Sequence, residues 1–558
     1  MLNKWKPMNS FFYIISLVSS RLKNSFAFYL LGSTIIPFLD IFGISLIIPI
    51  LNNFSNENPL VIPYIGELLN TFTDKMLFIC FGTVFAIKIL YITSFNFLTS
   101  YILSSFQNQI TLKYFGLFNR MSFQFHDNNP PSELLKILRT DLAYIIVYFS
   151  AWSNLIIDSI VICILGSFLI LIDSNLFLIS SCILIISTIL FYFGIKNSNG
   201  KLSSIRDIVD KNINKLILEN YFGIRVLKNF KKDNLFSNNL LQFLSSQRKY
   251  NAIVNTIAAS TKNYLELVLI VILLVLLYYF KINNFSMSEI ISLITVLLLI
   301  AIRLLPVFSR IQSSLQHIQF YENSIVLNRK KIEENYLTEK NAYIPKTIQG
   351  IDISYSYKNK TIVQGLNFSI DLDDDKIVFI VGPSGSGKST LIDIIMGNKR
   401  IDSGSLRINN EDVSKSNFSL NDIAYLSQTP FVFKGNLEEN ILFGRNFDET
   451  MLHKSINEAG VSQFIENKKP KDIKIDENGT NFSLGQLQRI TIARALYGLP
   501  KIIFLDEPSS ALDFETEQLI YNNLLVLSKK VKIVMVTHST KLIDLIENKH
   551  LIKLNSIC

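Results

Sequence analysis

The sequence has 558 residues, enough for several domains, and combines 49% hydrophobic residues with only 18% charged ones. That composition is too apolar for an ordinary soluble protein and predicts insertion into a membrane. The net charge of +9 would by itself suit nucleic acid, but the basic residues of the first half lie largely between apolar runs. We therefore expect no nucleic-acid partner.

A short apolar stretch, Phe11 to Ser20, precedes the first long apolar run. It lacks the small-residue cleavage site of a signal peptide, and it fits a helix lying at the membrane interface. A membrane-crossing helix needs about 20 apolar residues, because its backbone polar groups must be satisfied internally. Six stretches qualify and predict an all-helical domain with six spans, at about residues 26–50, 76–103, 146–171, 175–196, 254–280 and 286–308.

The distribution of Lys and Arg sets the predicted orientation of these spans. The leading segment, residues 104–145 and residues 197–253 are rich in basic residues, whereas 51–74 has none and 281–288 has only Lys281. Lys and Arg are retained on the cytoplasmic side of a membrane. We expect a multi-pass protein of the plasma membrane, the inner membrane in a bacterium, with both termini in the cytoplasm.

Charged residues inside the predicted spans must face protein or water, because an unpaired charge there costs at least about 2.5 kcal/mol. We interpret Lys88 and Arg303 as candidate contacts for an anionic group of a transported molecule. The alternatives are mutual ion pairing with Asp40, Asp158 and Glu266, which also lie in the spans, or helices that project beyond the bilayer.

The chain changes character after the last span. Residues 1–325 form the predicted transmembrane domain, in which the two long basic excursions continue the spanning helices into the cytoplasm. Residues 326–346 turn polar and charged and end near Pro345, which is typical of a linker. Residues 347–558 have the mixed pattern of a globular α/β domain.

A phosphate-binding loop stands early in this second domain. The apolar stretch Ile377 to Val381 predicts a strand, and a helical pattern follows the loop. Glycines let backbone N–H groups close around a phosphate, while a lysine adds positive charge and a serine hydroxyl ligates Mg²⁺. The loop residues are Gly382, Pro383, Ser384, Gly385, Ser386, Gly387, Lys388, Ser389 and Thr390.

Two further strands end in polar residues that suit hydrolysis of a nucleotide. Ile502 to Leu505 runs into Asp506 and Glu507, which predicts Asp506 near the Mg²⁺ ion and Glu507 as the general base for an attacking water. Ile533 to Val536 is followed by Thr537 and His538. A histidine at that strand end can reach the γ-phosphate, so His538 is the second predicted catalytic residue.

These motifs and their order resemble those of an ABC exporter half-transporter, over essentially the whole chain. The resemblance implies a type I exporter transmembrane fold joined to a P-loop ATPase domain, with ATP and Mg²⁺ as cofactors. It also implies that Tyr357 stacks on adenine, that Gln428 links Mg²⁺ and the attacking water to the membrane domain, and that Asp513 belongs to the loop connecting two ATP sites.

The family signature departs from its usual pattern in this chain. Ser483, Leu484, Gly485 and Gln486 precede the Gln488-Arg489 pair, and Leu484 stands where the family has the first of two glycines. By the resemblance, Ser483 and Gly485 bind the γ-phosphate held by a partner chain. A bulky side chain at that position is expected to crowd the backbone approach, and slow ATP turnover is one outcome that we leave open.

A dimer follows from the resemblance, because the signature of one chain completes the ATP site of the other. The partner is a second copy of this chain or a different half-transporter that supplies an intact signature.

Segments from Asp40 to Pro49 and from Arg303 to Ile311 resemble exporters that flip lipid-linked oligosaccharides or polysaccharides. The leading prediction is ATP-driven flipping of a lipid-linked glycan or related glycolipid. An exporter of a peptide, a drug-like molecule or another lipid is the first alternative, and a regulatory membrane protein with weak ATPase activity is the second.

Overall fold

The structure is a computed structural model. It describes residues 6–54, 74–172, 174–283, 287–335, 341–357, 360–374, 377–414, 418–465, 468–508, 514–537, 543, 546 and 549–554. The chain divides into two compact units, of which the first is Met1–Met121 with Asp127–Tyr336 and the second is Ser122–His126 with Leu337–Cys558.

The first unit is helical throughout its described part. Its long apolar segments form helices because such segments can satisfy their backbone hydrogen bonds internally. Together with the short helix that overlaps Ser122–His126, the helices in chain order are α1 (Lys6–Ser16), α2 (Ser20–Ser33), α3 (Ile35–Phe54), α4 (Asp74–Asn119), α5 (Phe123–Asn128), α6 (Pro131–Leu135), α7 (Leu142–Ile172), α8 (Ser174–Phe222), α9 (Ile224–Asn229), α10 (Ser237–Ile282) and α11 (Met287–Asn335). A π-helical turn, Lys136–Asp141, joins α6 to α7.

Five helical stretches of the described residues are long and apolar enough to cross a membrane. They coincide with the first five predicted spans, and the sixth predicted span falls at the start of α11. The first predicted span is interrupted at Thr34, between α2 and α3. Pro37 explains the break, because it lacks the N–H that would bond to the carbonyl of Ser33.

The helices run well past the predicted spans. α4 continues to Asn119, α8 to Phe222, and α11 to Asn335. The segment predicted to be a linker, 326–346, therefore begins inside α11. Two of its charged residues, Arg329 and Glu333, form an i,i+4 ion pair at 2.7 Å. Such pairs stabilise a helix, so a polar and charged composition did not mark the end of α11.

The second unit combines strands and helices. Its strands are β1 (Asn341–Tyr343), β2 (Thr347–Tyr357), β3 (Lys360–Asp371), β4 (Ile377–Val381), β5 (Ser403–Ile408), β6 (Glu411–Asp412), β7 (Phe418–Leu420), β8 (Ile423–Leu426), β9 (Gly435–Asn436), β10 (Lys474–Ile475), β11 (Ile502–Asp506), β12 (Lys532–Val536) and β13 (Lys549–Lys553). Its helices are α12 (Lys388–Ile395), α13 (Leu437–Leu442), α14 (Glu449–Glu458), α15 (Leu484–Leu496) and α16 (Phe514–Leu527).

A parallel five-stranded sheet positions the second unit's polar residues. Its strand order is β13-β4-β12-β11-β8, and every described pairing in it is parallel. The strands β4, β11 and β12 are almost wholly buried, as expected for a sheet covered on both faces. Because parallel strands share one carboxyl edge, the residues that follow β4, β8, β11 and β12 gather there. The three strands predicted from the sequence are confirmed.

A buried cluster around Arg206 and the neighbouring Asp210 joins four helices of the first unit. Arg206 on α8 has 1% of its surface exposed, and its guanidinium carbon lies 4.5 Å from the ring centre of Tyr144 on α7 and 4.6 Å from that of Phe320 on α11. Its nitrogens donate to the Phe320 carbonyl at 3.0 Å and to Asp207 at 2.9 Å. Neighbouring Asp210 accepts hydrogen bonds from two tyrosine hydroxyls, Tyr144 at 2.9 Å and Tyr250 on α10 at 3.0 Å.

We expect Arg206→Met to destabilise the first unit by about 3 kcal/mol, because Asp207 would keep a largely buried charge without its partner. The thermal unfolding midpoint in detergent is the measurement. Lys201→Met, on the exposed surface of the same helix, is the matched control. An unchanged midpoint for Arg206→Met would show that the four helices do not depend on this contact.

Candidate functional site

The phosphate-binding loop occupies the turn between β4 and α12. Lys388 begins α12, and its amine donates to the carbonyls of Gly382 at 3.0 Å and Pro383 at 2.9 Å. Gly387 has a φ of +91°, and a Cβ there would lie 2.9 Å from Ile362, so glycine is required at this position. The predicted residues Gly382 to Thr390 thus form one loop that folds back over its own lysine.

The loop fits a phosphate group. Lys388 is 6% exposed, and its amine bonds to two carbonyl oxygens of the loop. Its positive charge therefore lies inside the loop. The buried hydroxyl of Ser386 has no hydrogen-bond partner among the described residues. A buried cation and a spare hydroxyl beside the first turn of a helix are the groups that stabilise an anion.

Asp506 closes the site at the end of β11. Burial raises the pKa of this carboxyl above its ordinary value, while a hydrogen bond with Ser389 acts in the opposite direction and the nearby Glu507 carboxylate raises the pKa further. Ser389 and Asp506, the two residues predicted to approach Mg²⁺, are therefore in contact. A hydroxyl and a carboxylate are the oxygen ligands that Mg²⁺ prefers.

Glu507 adopts an uncommon backbone conformation. Its φ of +51° lies in the left-handed region, and its N–H donates to the carbonyl of Val536 on β12 at 3.0 Å. For a residue with a side chain this conformation costs about 1 to 3 kcal/mol, so the surrounding bonds must hold it. Its carboxylate accepts a hydrogen bond from the side chain of Gln428 at 2.8 Å. The structure thus brings together the predicted general base and Gln428.

Gln488 is a site residue that the sequence reasoning missed. It is 1% exposed on α15, and its side chain donates to the Glu507 carbonyl at 3.2 Å. In the sequence, the Gln488-Arg489 pair indicates only where the signature lies. A buried amide on a helix needs a hydrogen-bond partner, and that requirement is the signal that could have identified Gln488.

The signature residues cap α15. The hydroxyl of Ser483 accepts a hydrogen bond from the N–H of Gln486 at 3.3 Å, and the Gln486 side chain accepts one from the N–H of Ser483 at 2.9 Å. Leu484 is the first residue of the helix and is 57% exposed, so the leucine fits without strain and projects outward. Its predicted crowding of a nucleotide stays a prediction.

The predicted roles of Tyr357, His538 and Asp513 are not tested by the described residues. Tyr357 ends β2 and packs, half-buried, against the core cluster that contains Val363. Its stacking on adenine stays a prediction. His538 and Asp513 lie outside the residues that the structure describes.

In the first unit, Lys88 and Arg303 converge on one acid. The Lys88 amine bonds to Oδ1 of Asp40, and Nε of Arg303 lies 3.1 Å from the same oxygen. Lys88 and Asp40 are nearly inaccessible, whereas the Arg303 side chain is one-third exposed. Both cations also approach the ring of Phe85, at 5.5 and 5.8 Å. This cluster, Asp40 with Lys88 and Arg303, is called the Asp40 triad below.

Two sequence families match the chain. Residues 24–304 match the family described as ABC transporter transmembrane region, and residues 364–510 match the family described as ABC transporter. A bacterial Atm1-family ABC exporter, solved with ATP bound, has the same fold, with a TM-score of 0.76 at 17% identity, over 96% of this chain and 94% of that one.

Curated relatives match mainly through a shorter region. A putative export ATP-binding/permease protein of Rickettsia felis is 33% identical over 224 residues, 39% of each chain. An uncharacterized ABC transporter ATP-binding protein of Sinorhizobium fredii is 37% identical over 224 residues, 38% of each chain. The chain thus matches about two fifths of the length of these relatives.

The chain belongs to the ABC transporters, with a helical transmembrane unit and a P-loop ATPase unit. The predicted family and fold class are confirmed.

We expect Mg²⁺-dependent nucleotide binding to weaken at acid pH. If Asp506 holds Mg²⁺, it must be ionised, and because burial raises its pKa, protons would compete with the metal at a higher pH than for an ordinary aspartate. Affinity should fall by about tenfold for each pH unit below that pKa. Binding of a fluorescent ATP analogue, with and without Mg²⁺, measures this between pH 5 and 8.

The control for this measurement is Asp506→Asn, which should bind Mg²⁺ weakly at every pH. A Mg²⁺ dependence in the unaltered protein that does not change with pH would contradict the assignment of Asp506.

Proposed function

We propose that this chain is one half of an ATP-driven exporter and that it hydrolyses MgATP. The observation that carries the proposal is the convergence of Lys388, Asp506 and the Gln428–Glu507 hydrogen bond at the carboxyl edge of one parallel sheet. In this site Lys388 binds the β- and γ-phosphates, while Ser389, Asp506 and Gln428 would hold Mg²⁺.

Hydrolysis would follow from the position of Glu507. Its carboxylate accepts a proton from a water molecule as the water oxygen bonds to the γ-phosphorus, and the bond between that phosphorus and the bridging oxygen of ADP breaks. Gln428 orients the carboxylate, since its amide donates to Oε2 at 2.8 Å. The predicted His538 would stabilise the charge of the γ-phosphate during its transfer to water, and ADP would be the leaving group.

The working unit would be a dimer in the plasma membrane, with the ATPase unit in the cytoplasm. Ser483 and Gly485 of each chain would contact the nucleotide held by the other, and the exposed Leu484 would then lie in the interface. Closure around two nucleotides would change the access of the transmembrane cavity. A second copy of this chain is the partner we favour.

The cargo we favour is a lipid-linked glycan or related glycolipid with an anionic group. The Asp40 triad supports an anionic group, because among the described residues two cations share one acid and their net charge is positive. An excess of positive charge is costly in a membrane, and a phosphate or pyrophosphate would neutralise it. Arg303 is the accessible member of the triad, and Lys88 would act mainly as its buried support.

Hydrolysis is tested with purified protein in lipid. We expect ATPase activity that depends on Mg²⁺ and falls at least a hundredfold in Glu507→Gln, while binding of ATP persists. Leu484→Gly is the informative companion, since it restores the usual signature and should raise the rate if Leu484 crowds the site. A protein without hydrolysis in either form would favour the regulatory alternative instead.

The cargo is tested by movement of a fluorescent lipid-linked oligosaccharide across vesicle membranes. Arg303→Gln should weaken its binding by roughly ten- to a hundredfold, the value of one charge-assisted contact. Lys281→Gln, an exposed lysine on α10, is the control. Absence of movement by the unaltered protein would argue for an exporter of other cargo, whereas full movement by Arg303→Gln would show that Arg303 does not bind the cargo.

A further inference from the structure

A cleft between α8, α10 and α11 combines an apolar cavity with a charged one. The apolar cavity has a volume of about 80 Å³, and its lining includes Leu184, Leu269 and Leu273. The charged cavity has a volume of about 380 Å³ and is lined by Lys262, Glu266 and Arg310 among others. Leu265 and Leu305 line both cavities, so the two adjoin. The charged cavity lies in the size range of ligand sites, and the apolar cavity is a smaller continuation of it.

The length of the apolar part matches one leaflet of a bilayer. From Glu266 to Leu276, the last lining residue on α10, the helix rises about 15 Å. From Arg310 back to Leu298, on α11, the rise is about 18 Å. Half of a hydrocarbon core is about 15 Å thick. On both helices the charged residues thus lie about one leaflet's depth from the farthest lining residue of the apolar cavity.

The apolar space continues into a second cavity. This further cavity, of about 390 Å³, shares Leu169, Leu184 and Phe308 with the apolar cavity, and its lining is almost entirely apolar. Two adjoining apolar cavities under one charged cavity match the shape of a lipid with two acyl chains.

The charged cavity carries both positive and negative side chains. Lys262 lies 3.9 Å from Glu266, and both side chains are mostly exposed. Arg310 is half exposed, and its Nη2 lies 2.7 Å from Asp158. Asp158 is buried, so it balances the charge of Arg310 without being accessible in the cavity. An accessible acid stands beside two accessible cations, so a purely anionic group would meet repulsion from Glu266, whereas a group carrying both signs would not.

We propose that this cleft binds one zwitterionic phospholipid of the membrane. The phosphate lies at Arg310 and Lys262, the amine lies at Glu266, and the two acyl chains occupy the apolar cavities. This site is distinct from the Asp40 triad. Arg303 points toward α3, while Leu305, two residues later and so on another face of α11, points into the cleft. The bound lipid does not depend on the proposed transport activity.

The test is native mass spectrometry of the delipidated full-length protein in detergent, without nucleotide. The probes are phosphatidylethanolamine and phosphatidylglycerol with identical acyl chains. We expect one phosphatidylethanolamine retained per chain, with at least tenfold preference over phosphatidylglycerol.

Two pairs of variants locate the lipid. Leu273→Trp fills the apolar cavity and should abolish retention, whereas Leu274→Trp, on the exposed side of the same helix, should leave it intact. Glu266→Gln should remove the preference for phosphatidylethanolamine. Glu219→Gln, which alters a similar exposed pair with Lys215 on α8, should retain it.

Three results would overturn the proposal: equal retention of both lipids by the unaltered protein, retention by Leu273→Trp, or an unchanged preference in Glu266→Gln. Glu266 is exposed, so we expect Glu266→Gln to fold. Its lipid preference therefore tests the proposal even if Leu273→Trp fails to fold. Because no nucleotide is present, absence of ATPase activity or export would leave this result unaffected.

Discussion

A charge removed from water needs a counter-charge, and this constraint organises both units. In the first unit Asp40 holds Lys88 and Arg303, Asp158 holds Arg310, and Asp207 holds Arg206. The Asp40 and Asp158 pairs join helices that are far apart in the sequence, whereas Asp207 neighbours Arg206 on α8. In the second unit Lys388 has carbonyl oxygens as hydrogen-bond partners, and Asp506 bonds with the Ser389 hydroxyl and is attracted by the Lys388 charge. In the proposed function a nucleotide with its metal ion would add further charges to this pair.

The ATPase unit was largely readable from the sequence because each motif is local. The strand before Gly382 and the helix after Gly387 are fixed by residues within a few positions of the loop. Parallel strands then bring Asp506 and Glu507 to the same edge without further information. The role of Gln488 was not predicted because its hydrogen-bond partner is a backbone carbonyl outside α15, and no local sequence pattern specifies such a partner.

The membrane unit was readable in its spans but not in its contacts. Apolar length predicts a crossing helix, yet it says little about where a helix ends outside the bilayer, as the course of α11 through the charged segment to Asn335 illustrates. The pairing of Arg206 with residues of α7 and α11 depends on tertiary packing across more than one hundred positions. For Lys88 and Arg303 the sequence left ion pairing open as an alternative, and the structure provides the pairing acid, Asp40.

The hydrogen bond of Gln488 has a mechanical consequence. Ser483 caps the helix α15, and Gln488 lies little more than one turn farther along it. The amide of Gln488 grips the carbonyl of Glu507, whose left-handed backbone is already under strain. Because this hydrogen bond joins α15 to the backbone of Glu507, a shift of the start of α15 relative to β11 would strain the peptide that carries the Glu507 carboxylate.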